Sequence, residues 1–154
     1  MGSLKLSDTI SGAEARAYIT VNGRNEELFY AKKLESKVEK QKTEGKTLGN
    51  RATQNRATGW KGTGTLTVYY ATSLFRELML SYIKEGRDVY FDITVTNEDP
   101  TSSLGGQTVV LKNCNLDEVS MAAFDVESEV LEEDMAFTFE DVDILNKFNK
   151  PTLG

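Results

Sequence analysis

Apolar residues recur at every second position through most of this chain. That period restricts it to extended strands, because successive side chains on a strand leave opposite faces. Ala17, Ile19 and Val21 face one way, Tyr18 and Thr20 the other, and Asn22-Gly23 supplies a turn. From Leu28 to about Lys42 the run carries Leu28, Tyr30, Leu34 and Val38 among charges, as one long strand or two short ones with a break near Lys33. Gly62-Thr63-Gly64-Thr65 opens a strand with Leu66, Val68 and Tyr70 on one face and Thr63, Thr65, Thr67 and Tyr69 on the other. Val89, Phe91, Ile93 and Val95 alternate with Tyr90, Asp92, Thr94 and Thr96. Residues 107–114 and 119–126 read as a hairpin about Asn115-Leu116-Asp117. Met135, Phe137 and Phe139 form a last face. The phase then slips to Val142 and Ile144, which marks a bulge or strand end near Asp141.

One segment breaks the period. Leu74, Phe75, Leu78, Met79, Tyr82 and Ile83 make a single apolar stripe at helical spacing, opposite Arg76, Glu77, Ser81, Lys84 and Glu85. The spacing predicts a helix over 73–85, opened by Thr72 or Ser73, closed by Gly86, and laid by its stripe on a sheet. Seven or so strands and one inserted helix make a mainly β domain, a sandwich or partly open barrel. A chain of 154 residues suits one such domain, here 11–145, with an arm at 1–10 and a tail at 146–154.

Residues 44–62 differ in character, with four glycines and only Leu48 and Trp60 as large apolar groups. They read as a loop longer than compact domains usually carry without a use for it. The loop lies in a basic stretch: Lys32 to Lys61 holds nine Lys or Arg against three acids. Lys112 to Lys147 holds eleven acids and no base between those two lysines. Two solvated faces would explain this polarity. So would head-to-tail assembly in which one protomer's basic segment meets a neighbour's acidic one. Composition leaves both open.

The chain has no histidine, which removes Ser-His-Asp and Cys-His catalysis and the commonest metal ligand. Gly62-Thr63-Gly64 leads into a strand, not a phosphate-binding helix, and Asp141-Val142-Asp143 lacks the rest of a calcium loop. No enzyme, metal or cofactor is expected. Cys114, the only cysteine, reads as a small buried hydrophobe, consistent with assembly in a reducing compartment. No stretch is apolar enough for a membrane span, and residues 1–14 lack the apolar core of a signal peptide. A net charge of -6 disfavours specific nucleic-acid binding. The alternative from another class is a β-barrel module that holds single-stranded nucleic acid through the basic 46–61 segment and Trp60. An open sheet also has edges, and identical subunits pairing edge to edge in a ring would remove them.

Particular residues carry a resemblance. They are Thr9-Ile10-Ser11-Gly12, Lys61-Gly62-Thr63-Gly64-Thr65, Thr72-Ser73, Asn113-Cys114-Asn115-Leu116 and Phe124-Asp125-Val126-Glu127-Ser128-Glu129. Leu131-Glu132-Glu133 and Phe137-Thr138-Phe139-Glu140-Asp141 complete the set. In this order they resemble the XkdM-type tail tube proteins of Gram-positive myophages and phage-like bacteriocin particles. The resemblance implies two packed β-sheets with a flanking helix, similar to the Hcp tube protein of type VI secretion. It implies self-assembly into hexameric rings, stacked as a hollow tube inside a contractile sheath. Sheath, baseplate, tape-measure and tail-terminator proteins are then the partners, and the place is a particle tail assembled in the host cytoplasm. On this chain, 44–58 becomes the ring-to-ring element. Lys46, Arg51 and Arg56 would face Glu127, Glu129, Glu132, Glu133 and Asp134 of the next ring, with Trp60 as a buried anchor. Glu35, Glu39, Thr63, Thr65 and Thr67 would line the lumen.

Overall fold

The computed structural model describes residues 15–100 and 103–149. Within them lie eight strands and one helix. The strands are β1 (Ala15–Val21), β2 (Arg24–Glu27), β3 (Ala31–Gly45), β4 (Gln54–Tyr69), β5 (Phe91–Glu98), β6 (Gly106–Glu118), β7 (Glu132–Phe139) and β8 (Asp141–Asn146). The helix α1 (Leu74–Glu85) joins β4 to β5. All strand pairings are antiparallel, in the order β2-β1-β5-β6-β7-β4-β3, with β8 also on β6.

The architecture turns on β6. Its first part, Gly106 to Cys114, pairs with β5, while Asn115, Leu116 and Glu118 pair with β7. Asn113, near the end of the first part, has φ 52°, a left-handed conformation that Asn tolerates better than most residues. The strand thereby passes from one half of the sheet to the other, and the two halves fold face to face. Ile19, Phe91, Ile93 and Leu111 from one half meet Leu66, Val68, Met135 and Phe137 from the other in one core. The ends of the sheet, β2 and β3, do not pair with each other, so the barrel is partly open. A cleft remains along the open side, where Leu28, Phe29 and Leu34 face Ala17 and Val95.

Much of the expected pattern is present. Ile19 and Val21, Leu66 and Val68, Phe91 and Ile93, and Met135, Phe137 and Phe139 are all buried. Asn22 and Gly23 take φ of 51° and 79° in the β1–β2 turn, and a register shift between Ala31 and Lys33 marks the irregularity foreseen in β3. The phase slip is the bend at Glu140 between β7 and β8. Cys114 is fully buried, and burial, followed by the nearby Asp92 charge, pushes its thiol up to about 12.

Three expectations are corrected, and one strand is new. Residues 44–62 are not a long loop, because β4 starts at Gln54 and pairs with β3 out to Gly45. Residues 107–126 are not a hairpin: β6 runs straight through Asn115-Leu116-Asp117, and the segment after it is irregular. The helix stripe is only half used, with Phe75 buried but Tyr82 and Ile83 exposed. The short strand β2, wholly polar and exposed, has no apolar alternation to announce it. The arm at 1–10, Thr9-Ile10-Ser11-Gly12 and tail residues 150–154 lie outside the described residues.

The helix begins where Thr72 Oγ1 accepts the Leu74 amide at 3.2 Å, and it ends at Gly86, whose φ of 67° reverses the chain. Among the described residues no helix is long and apolar enough to cross a membrane, and no cluster of His, Cys, Asp and Glu is placed to hold a metal.

Candidate functional site

The β3–β4 hairpin reaches beyond the domain. β7 pairs with β4 only over Gly62–Tyr69, so among the described residues the outer part of the hairpin has no third strand. Every residue from Glu35 to Gly45 and from Gln54 to Lys61 is exposed. At about 3.3 Å per residue, the free ribbon from Glu39 outward extends roughly 20–25 Å. It carries Lys40, Lys42, Lys46, Arg51, Arg56 and Lys61 against Glu39 and Glu44. The tip is a defined turn: the Asn50 amide donates to Thr47 O at 3.2 Å, Gly49 takes φ 83°, and Asn50 Oδ1 accepts from the Ala52 amide at 2.9 Å. Leu48 projects from this turn fully exposed.

An aromatic row anchors the arm. Phe137 and Phe139 lie over Gly64 and Gly62, their cross-strand partners, so closely that a Cβ at either glycine would stand 2.4–2.5 Å from a ring carbon. Trp60 continues the row, its ring 6.2 Å from that of Phe139. Trp60 is 43% exposed within one protomer. With Val38, Lys40, Ala57, Gly59 and Val142 it lines an almost wholly apolar groove at the root of the arm.

The acidic residues divide into two groups. Glu132 Oε1 pairs with Lys32 Nζ at 2.5 Å, and Asp134 Oδ1 accepts from Thr67 Oγ1 at 2.7 Å. The bond to Glu132 holds the Lys32 ammonium above its ordinary range. Glu133 is only 4% exposed and meets Arg76 Nη1 at 2.7 Å. Arg76 also donates to Thr72 O and Ser120 O and lies 4.3 Å over the Tyr70 ring. Glu133 therefore is no surface acid: it ties β7 to α1 and to the start of the 119–131 segment. That segment holds the second group. Asp125 Oδ1 accepts the Glu127 amide at 3.0 Å in a turn that presents Glu127 and Glu129 to solvent. Phe124 and Val126 stand beside them, 87% and 80% exposed.

The five residues expected at a lumen share one face. Glu35 pairs with Thr65 and Glu39 with Lys61, while Thr63 and Thr67 pair with Lys37 and Lys33. The face therefore alternates charge, with Lys33 Nζ 3.7 Å from Glu35 Oε2. Its lysines were missed although strand alternation alone puts Lys33 and Lys37 in phase with Glu35 and Glu39, and Lys61 in phase with Thr63. Leu48, Phe124 and Val126 were missed as well, and only their exposure identifies them.

The family described as phage tail tube protein matches residues 2–146. The chain is 42% identical over 147 residues to the phage-like element PBSX protein XkdM of Bacillus subtilis (strain 168), covering 96% of this chain and 97% of that protein. Its fold is similar to a chain of the six-fold symmetrised anti-feeding prophage baseplate, with a TM-score of 0.67, 14% identity and coverage of 89% and 95%. It is also similar to a chain of the extended sheath-tube complex of the extracellular contractile injection system PVC, with a TM-score of 0.65, 16% identity and coverage of 90% and 93%.

Proposed function

This chain belongs to the phage tail tube protein family, and we propose that it forms hexameric rings stacked around a lumen that passes DNA or effectors in a contractile particle. It is a structural protein of the tail and not an enzyme. The observation that carries the stacking is the arm. A lone two-stranded ribbon is marginal in water, yet this one continues well past the last strand that supports it, exposed on both faces. A neighbouring subunit supplies the missing surface.

In this reading Lys46, Arg51 and Arg56 on the arm meet Glu127 and Glu129 of the adjoining ring. Glu132 and Asp134, already bonded within their own chain, contribute less. Exposed pairs add only about 0–1 kcal/mol each, so they set orientation while buried apolar groups set strength. The face of Glu35, Glu39, Thr63, Thr65 and Thr67, interleaved with Lys33 and Lys37, lines the lumen. Its mixed charge lets a polyanion slide without sticking. Sheath protein covers the outside, and baseplate, tape-measure and terminator proteins bind the ends after assembly in the host cytoplasm. Family membership favours this reading over a nucleic-acid-binding module.

Negative-stain microscopy of concentrated protein tests it: rings or tubes are expected, and a strictly monomeric species under all conditions, seeded ones included, overturns it. The double substitution Arg51→Glu, Arg56→Glu should keep the fold and weaken stacking into tubes. Normal tubes from that variant would remove the charge pairing.

A further inference from the structure

We infer that the apolar groove at the root of the arm receives Phe124 and Val126 from a neighbouring copy of this chain, an inference that rests on the tube reading above. The groove is framed by Val38, Lys40, Ala57, Gly59 and Trp60 on the arm and by Val142 on β8. Its volume of about 370 Å³ falls in the range, roughly 300–1,000 Å³, of pockets that hold small organic groups. Both the groove and the candidate occupant leave large apolar groups in water, which a subunit avoids by joining them.

Charge selects this occupant. Lys40 lines the groove, and Lys42 is the cross-strand partner of groove-lining Ala57, so two ammonium groups flank an apolar floor. The 124–129 segment is the complement: Phe124 and Val126 alternate with Asp125, Glu127 and Glu129. The apolar groups of α1, Tyr82 and Ile83, are also exposed, but beside them Lys84 and Arg87 offset Glu85, so they lack the acidic complement that the groove lysines favour. Phe124 is free to leave its own chain, being 87% exposed in a segment held by the Asp125 turn and by Arg76 at Ser120. The arm and the acidic segment are thereby joined by an apolar plug as well as by ion pairs.

The test replaces Phe124 with the photoreactive benzoyl-phenylalanine in the full chain, mixes isotopically labelled and unlabelled protein, assembles tubes and maps the links by mass spectrometry. Links between chains onto Val38, Ala57, Trp60 or Val142 are expected. Links within one chain, onto residues 1–14 for instance, or between chains onto Tyr82 and Ile83 overturn the inference. Independently, Phe124→Ser should leave the urea midpoint unchanged and raise the concentration needed for tubes on the order of tenfold or more. Tubes of that variant forming at the unsubstituted concentration overturn the plug and leave the tube reading standing. Absence of rings and tubes from the unsubstituted chain overturns both.

Discussion

Arg76 binds three parts of the chain with one guanidinium. It reaches the carboxylate of Glu133 on β7, the carbonyl of Thr72 before the helix and that of Ser120 after β6, and its plane covers Tyr70. A carboxylate as buried as that of Glu133 depends on this partner, since an unpaired charge there would be poorly solvated. Arg76→Leu should cost about 3–5 kcal/mol of unfolding free energy in urea titrations. Adding Glu133→Leu should recover much of that loss, because no orphan charge then remains. A single variant as stable as the unsubstituted protein would show that the carboxylate finds another partner. In the sequence, Glu133 differs from Glu132 and Asp134 only in sharing the phase of Met135 and Phe137. Strand alternation puts it on the inner face with Met135 and Phe137, and only the placement of α1 brings Arg76 to it.

At the scale of elements, the β3–β4 hairpin combines a supported root with an unsupported arm. The root is glued by Phe137 and Phe139 over Gly64 and Gly62, where the missing side chains let the rings lie on the backbone. The arm adds strand pairing but almost no burial, so the fold does not need it. Replacing residues 42–58 with Asn-Gly, a pair suited to a tight hairpin turn, should change unfolding free energy by less than about 1 kcal/mol. The same protein should form no tubes by electron microscopy. Tubes without the arm would refute its role in stacking, whereas loss of the fold would show that the arm supports the core. The arm was read from sequence as a loop because glycines and polar residues carry no alternation. Backbone pairing with β3 makes strands of them without any apolar face.

For the whole molecule, the polarity of charge along the chain becomes a polarity in space. Cations extend along the arm, while Asp125, Glu127 and Glu129 lie exposed in the 119–131 segment, which holds no base. Assembly driven partly by such pairs should slow as salt rises, because the screening length falls from about 10 Å at 0.1 M to about 3 Å at 1 M. Light scattering should therefore show slower tube growth at ~1 M sodium chloride, with the Arg51→Glu, Arg56→Glu protein less sensitive to salt. Equal sensitivity in the two proteins would place the steering charges elsewhere.

The sequence by itself determined the strand identity of the core, its apolar faces, the single helix and the absence of histidine chemistry, because each depends on local periodicity or composition. Its resemblance to tube proteins also agreed with the family to which the chain belongs. Only the tertiary structure decided that 54–62 is a strand, that β6 links both halves, that Glu133 pairs with Arg76 and that Trp60 opens onto a groove. Each of those depends on pairing between distant segments. A backbone hydrogen bond or a buried ion pair leaves no periodic trace in either partner, so it becomes visible only when the chain has folded.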